Sequence, residues 1–341
     1  MKIVVGLSGG LDSAFTAYKL KNEGHSVEGL CLVMHDYTDV SGAKNVARLL
    51  DIKLHTLDCR EAFKKHVISN FISEYSSGHT PNPCTVCNRY VKIAQLCSFA
   101  REKGFDKAAT GHYAKICFDQ ESQRYCIEKG SDEKKDQSYM LWHLTQEQLS
   151  TLYFPLSDIT KEEIRKQAAL TPFAHLADAK DSQEICFIPD NDYAGYIERE
   201  KGKFPQGDFV DAEGKVLGRH KGIIHYTVGQ RKGLGIALGA PAYITNIDPI
   251  KNTVTVEKMS DVQSNTLTAV NLNGQLLDVK NGEEYTLDVK IRYAAKPMSA
   301  KVKIIDGKAL VTFEDPVRAV TPGQSAVFYQ NNMIAFGGTI I

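Results

Sequence analysis

The sequence predicts an α/β fold: a doubly wound parallel sheet over about the first 200 residues, then a small central domain and a C-terminal β-barrel. Three observations predict it. Strand-like and helix-like stretches alternate through the first part, the rhythm of parallel strands joined by helical crossovers. A glycine turn, Ser8-Gly9-Gly10-Leu11-Asp12-Ser13, separates an apolar strand from a helix with Leu11, Ala14, Phe15 and Tyr18 on one face. Past the charged hinge Arg199-Glu200-Lys201-Gly202-Lys203, followed by Pro205 and Gly207, the pattern changes to short alternating runs between turn residues.

Taken in order, strands are expected at 2–7, 26–33, 53–58 and 107–110, and helices at 12–22, 41–50, 60–76 and 87–103. Ligands of such sheets bind beyond the carboxyl ends of the strands. Ser8-Gly9-Gly10 and Gly111-His112 both follow strands and are expected to face one crevice. Later strands are expected at 242–247, 253–257, 285–291, 300–305, 309–313 and 325–329, with turns at Asn281-Gly282 and Asp306-Gly307. The expected units span 1–200, 205–265 and 266–341.

At 341 residues, with 43% hydrophobic and 24% charged residues, the chain has the composition of an ordinary soluble protein. Lysine plus arginine and aspartate plus glutamate both total 41, so global charge indicates no nucleic-acid partner. Local charge does: Lys215, Arg219, Lys221, Arg231 and Lys232 fall in a stretch without an acid, interleaved with His220, His225 and Tyr226. The same pattern also suits a solvated face. No apolar run is long enough to span a membrane, and the N-terminus does not read as a signal peptide. The eight cysteines form no small secreted framework, so they are expected to be mostly reduced in a cytoplasmic protein.

The glycine turn lets backbone N–H groups close around an anion at the positive end of a helix. It has neither the spacing of a Walker loop nor that of a dinucleotide fingerprint. Cys84 and Cys87 stand three apart after Pro81 and Pro83 at the head of a helix, where the dipole is expected to lower a thiol's pKa. Half of a structural zinc site is the duller alternative, but no second C-x-x-C exists. Cys186 has apolar neighbours that equally permit an inert core thiol, and sequence distance does not decide whether the three meet.

Ser8–Ser13 resembles the pyrophosphate loop of the PP-loop ATP pyrophosphatases, of adenine nucleotide alpha-hydrolase-like fold. Taken with residues 80–88, 110–114, 135–139, 180–187, 226–235 and 321–324, the chain resembles the tRNA-specific 2-thiouridylases over nearly its whole length. The resemblance implies that ATP adenylates O2 of the wobble uridine (position 34) of a tRNA, after which sulfur displaces AMP. It implies ATP contacts at Gly6, Leu7, Ser8, Gly9, Gly10, Leu11, Asp12, Ser13, Leu32 and Gly111, with Asp12 on Mg²⁺ or holding the loop's geometry. Cys186 matches the persulfide carrier and Cys87 its partner thiol; Asn82, Pro83 and Cys84 match the segment touching the target base. His112, Lys135, Asp136, Gln137, Arg292, Tyr293 and Gln324 match tRNA contacts. Expected partners are glutamate, glutamine and lysine tRNAs and a sulfur donor such as a cysteine desulfurase or a sulfur carrier protein.

One departure stands out, because many relatives have aspartate where this chain has Cys84. Two readings follow: Cys84, Cys87 and Cys186 ligate a 4Fe-4S cluster whose open iron takes hydrosulfide, or Cys186 and Cys87 relay persulfide without metal. Rival functions are another PP-loop adenylating ligase, which needs no sulfur-handling thiols, and a non-catalytic tRNA-binding protein, which needs no intact loop.

Overall fold

The computed structural model describes residues 1–179, 185–236, 241–258 and 262–341. In chain order the first strands are β1 (Lys2–Gly6), β2 (Ser26–Val33), β3 (Leu54–Asp58), β4 (Lys107–Ala109), β5 (Ala114–Asp119), β6 (Arg124–Lys129) and β7 (Leu152–Tyr153). Five of them form a parallel sheet in the order β3-β2-β1-β4-β7. Alternate residues of β1 face opposite cores. Ile3 and Val5 pack with Phe15, Ala47 and Ile164; Val4 packs with Phe63, Leu96 and Ile197. Both faces are therefore buried, which is why the strands read as continuous apolar runs.

The helices covering one face are α1 (Leu11–Asn22), α2 (Val40–Leu49) and, later, α8 (Lys161–Ala168). The other face carries α3 (Arg60–Phe63), α4 (Ser69–Ser76), α5 (Pro83–Cys87), α6 (Ile93–Glu102) and, further along, α7 (Gln146–Thr151) and α9 (Tyr193–Lys201). The helix expected at 60–76 is interrupted by a π-helical turn, Lys64–Ile68. That expected at 87–103 starts four residues earlier, with Pro83 in its first turn, and contains a second π turn, Asn88–Lys92. Proline is favoured at that first position because its missing N–H has no helical partner to lose. Cys84 and Cys87 therefore lie within the helix start, and the π turn follows them directly.

Four strands make the central sheet: β8 (Gly207–Val210), β9 (Val216–His220), β10 (Tyr243–Asp248) and β11 (Thr253–Glu257), ordered β10-β11-β8-β9. The terminal strands are β12 (Gln263–Gly274), β13 (Glu284–Lys290), β14 (Met298–Ile305), β15 (Lys308–Arg318), β16 (Ser325–Gln330) and β17 (Met333–Ile340). β12 pairs with both β15 and β17, so the six strands close into a barrel around Val289, Val302, Phe313, Phe328 and Phe336. The fold class agrees with the sequence expectation.

The β5–β6 hairpin is a correction. The expected strands included none between 110 and 242, yet β6 joins β17 through Glu128 and Met333 and extends the barrel sheet. The barrel is further fixed to the first unit by buried polar contacts. Trp142 Nε1 donates to Ser325 Oγ (2.9 Å), and Gln275 Nε2 donates to the carbonyls of Leu141 (2.9 Å) and Trp142 (3.1 Å). All three units meet at residues 78–81. Thr80 N–H donates to Pro322 O (2.8 Å), Thr80 Oγ1 donates to Thr227 Oγ1 (3.2 Å), and Gln324 Nε2 donates to Thr80 O (2.9 Å). Asn82 follows at once, so this junction sets where α5 begins.

Candidate active site

The glycine turn sits at the switch point between β1 and β4, where the chain reverses its direction across the sheet. Gly10 caps α1 without a side-chain hydrogen bond, which leaves the N–H groups of the first turn open to an anion. Ser8 and Ser13 brace the loop: their Oγ atoms are 3.1 Å apart, and Ser13 Oγ donates to Gly10 O (3.0 Å). Two glycines are required by contact. Gly9 has φ +84°, and a Cβ there would fall 2.8 Å from the carbonyl carbon of Gly42 at the start of α2. A Cβ on Gly111 would fall 2.8 Å from the carbonyl carbon of Asp12. Gly6 ends β1 and Leu7 follows it, buried, before the turn, and Leu32 is buried toward the end of β2.

Asp12 Oδ1 accepts from Lys161 Nζ and from Tyr113 OH, each at 2.6 Å. Of its two expected roles this arrangement serves loop geometry, since one carboxylate oxygen already holds a cation and a phenol. Lys161 was not expected. Its only sequence signal is a lysine in the first turn of a helix, where the dipole disfavours a cation, behind the Thr160–Glu163 capping box.

The three cysteines come together. The neighbouring Cys84 and Cys186 thiols both act on Cys87 through repulsion of negative charge, and Cys84 acts on Cys186 in the same way. Desolvation pushes Cys87 up to about 12 and Cys186 up to about 11, and it raises Cys84, although Cys84 and Cys186 both open to solvent. The expected acidification by the helix dipole is thus not met. α5 is only five residues long, and loss of hydration outweighs it. One cation opposes the rise at all three thiols, Lys92 at the end of the π turn. Its charge also acts on His112, a buried imidazole held well below its ordinary pKa by desolvation. His112 Nδ1 lies 2.7 Å from Thr110 Oγ1, one residue past Gly111, so Lys92 joins the thiol group to the nucleotide crevice. Sequence reading missed Lys92 because nothing local marks it.

Among the described residues, no three His, Cys, Asp or Glu side chains are gathered to hold one metal ion. Cys84, Cys87 and Cys186 are electrostatic neighbours; each thiolate of a 4Fe-4S cluster binds its own iron, so the lack of a single-ion site bears on a zinc-type centre and leaves both sulfur chemistries, cluster and persulfide relay, in place.

The remaining residues divide by exposure. Asn82 is the N-cap of α5, its Nδ2 3.4 Å from Met140 Sδ. Asp136 is buried and accepts from Ser138 N–H (3.1 Å) and Oγ (2.8 Å); Gln137 exchanges hydrogen bonds with the Tyr113 backbone. These two and His112 support the crevice from within. Lys135 is half-buried, Tyr293 is exposed, and Arg292 donates to Arg318 O (3.3 Å). Arg231 and Lys232 are exposed, while 180–184 of the motif before Cys186 lie outside the described residues.

Residues 1–190 match the family model described as the tRNA methyl transferase HUP domain, 195–258 the tRNA methyl transferase PRC-barrel domain, and 264–341 the aminomethyltransferase β-barrel domain. The chain is 44% identical over 356 residues to the tRNA-specific 2-thiouridylase MnmA of Acetivibrio thermocellus, covering 99% of each chain. It is 45% identical over 358 residues to the tRNA-specific 2-thiouridylase MnmA 1 of Caldanaerobacter subterraneus subsp. tengcongensis, covering 99% of this chain and 97% of that one. A third relative, the MnmA of Lachnoclostridium phytofermentans, is 44% identical over 358 residues, covering 100% of this chain and 99% of its own.

Proposed function

The chain belongs to the tRNA-specific 2-thiouridylase family, and from that premise we propose that it uses ATP to replace O2 of the wobble uridine in tRNA by sulfur. What supports this reading is the grouping of three thiols around Lys92, whose charge also reaches His112 next to Gly111, in the unit that carries an open pyrophosphate-type loop. A ligase that activates a carboxylate needs the loop and not the thiols; a passive tRNA binder needs neither.

ATP enters with magnesium as its counter-ion, its phosphates against the N–H groups of Gly9 to Ser13. Uridine O2 attacks the α-phosphorus, the bond to pyrophosphate breaks, and charge on the departing group meets amides already in place. The uracil oxygen, a poor leaving group, is thereby converted into AMP. Sulfur arrives from a persulfide donor, such as a cysteine desulfurase or a carrier protein, which transfers its outer sulfur to Cys186 and departs as a thiol. The terminal sulfur attacks C2 and AMP leaves. Cys87, as thiolate, then attacks Cys186 Sγ, releasing 2-thiouridine and leaving a Cys87–Cys186 disulfide for an external dithiol to reduce. Lys92 stabilises the anionic sulfur in both steps. Asn82, Pro83 and Cys84 flank the base. No step passes through an iron–sulfur cluster. The tRNA lies across the exposed basic stretch and the barrel edge at Arg292, Tyr293 and Gln324, with glutamate, glutamine and lysine tRNAs as substrates in the cytoplasm.

Incubation with ATP, tRNA and a persulfide donor, followed by nucleoside digestion, is expected to yield 2-thiouridine and stoichiometric AMP. AMP without thiolated nucleoside would favour another adenylating reaction, and absence of both would overturn the proposal.

A further inference from the structure

A second cavity lies behind the cysteine helix. It measures about 410 Å³ and is walled by the first unit and the barrel together. Asn82, Thr85, Val86 and Tyr90 line it, whereas Cys84 and Cys87 do not. At helical spacing these two sets fall on different faces, so a single helix divides the thiol crevice from this cavity. The barrel closes the far side with Asn271, Gly323, Ser325 and Thr339.

Its walls are unusually rich in flat rings. His66 stacks on Tyr90 (centroids 5.2 Å, 12° between planes), and His143 stacks on Trp142 (4.5 Å, 10°). Tyr90 meets His143 edge-on at 5.5 Å, and Tyr90 is 41% exposed. Beside them the Arg89 guanidinium lies 5.6 Å from the Tyr90 centroid, and its Nη1 is buried without a hydrogen-bond partner. Burial and the Arg89 charge hold His143 down to about 4, so near neutral pH it offers one donor and one acceptor and no charge.

The chemistry selects the occupant. No lysine or arginine is in the lining and Glu74 is, which disfavours a polyanion. An aliphatic ligand would waste Asn70, Asn82, Asn271 and Thr339. A neutral planar ring with polar edges suits the flat ring walls and the amide side chains. We propose that this cavity is a second base-binding subsite, taking an unstacked base of the anticodon loop that neighbours the reacting uridine. The inference rests on tRNA being the substrate. A helix about 10 Å across separates the two faces, so a short run of splayed backbone passing the half-buried Asn82 and Pro83 brings one base to each side. Removing a neighbouring base from its stack also lowers the cost of extruding the uridine.

The test uses full-length enzyme and tRNA carrying 2-aminopurine singly at each anticodon-loop position next to the target uridine. Binding is expected to quench one position several-fold by ring stacking. Tyr90→Ala should abolish that quench and raise KM for tRNA about tenfold, and Tyr90→Trp should restore both. If the wild-type enzyme binds and thiolates tRNA but no position is quenched, or if Tyr90→Ala quenches as the wild type does, the subsite is refuted while the thiolation reading stands. If the wild type forms no 2-thiouridine, the thiolation reading itself has failed.

Discussion

The nucleotide side of the crevice and its sulfur side are built on opposite plans. Around the loop everything is fixed by contact: Gly9 against α2, Gly111 against Asp12, and Asp12 between Lys161 and Tyr113. Around the thiols little is fixed. Cys87 Sγ lies 3.8 Å from Met34 Sδ, and desolvation raises the pKa of all three thiols even though Cys84 and Cys186 open to solvent. The first arrangement is prepared for charge before substrate arrives. The second disfavours thiolate until something nearby stabilises the anion.

The largest effect should separate the two sides outright. Cys186→Ala is expected to abolish 2-thiouridine formation while tRNA affinity, read by filter binding, stays as in the wild type. Retained full activity would remove Cys186 from the reaction and break the contrast at its sulfur end. The converse change is Gly111→Ala. Its methyl group would be pressed into the Asp12 backbone, at a cost of about 1–3 kcal/mol, or about a tenfold to hundredfold rise in KM for ATP. Alkylation of Cys87 by iodoacetamide should be unchanged in that variant. If the two readouts move together, the sides are not independent.

The pH dependence sharpens the same point. An ordinary cysteine, near 9, reaches its full alkylation rate a little above that pH. With Cys87 near 12 and Cys186 near 11, their rates should go on rising through pH 10, tenfold per unit, because the thiolate fraction is still increasing. Lys92→Met removes the one cation among the described residues that favours thiolate at all three cysteines, so the profile should move further to alkaline pH and the rate at pH 8 should fall several-fold. Lys92→Arg should restore it. A purely structural lysine would leave the profile where it was.

How much of this was legible follows from what is local. The glycine turn was, because strand, Gly-Gly and helix are contiguous and their meaning depends on little else. The cysteine helix was half legible: Pro83 marked its true start, but the later apolar run drew the expected boundary to Cys87. The β5–β6 hairpin was not legible, because its partner β17 lies some 200 residues away and its own strands alternate only weakly. Neither were Lys92 and Lys161, whose importance comes from side chains met across the fold. The thiol pKa was misjudged for a related reason. A helix N-terminus can be read from sequence, whereas the burial that overrides it depends on packing by distant segments.

A smaller effect tests how rigid the nucleotide side is. Asp12→Asn would take from Lys161, whose side chain is only 9% exposed, the carboxylate charge that its Nζ meets at 2.6 Å. Because Asp12 itself is 35% exposed, the loss of stability should be modest, ~2 kcal/mol by thermal melting. A larger drop would mean that the pair also anchors α8 to the loop.

The smallest expected effect concerns the exposed basic stretch, which belongs to neither side of the crevice. Replacing Arg231 or Lys232 by Ala should weaken tRNA binding alike for every tRNA and lower the slope of log affinity against log salt by about one. Both side chains are exposed, so folding should not change. The crevice should not notice either: at saturating tRNA the rate of 2-thiouridine formation is expected to stay at the wild-type value. An unchanged salt slope would make the stretch a solvated face and move the tRNA track toward Arg292 and the barrel edge.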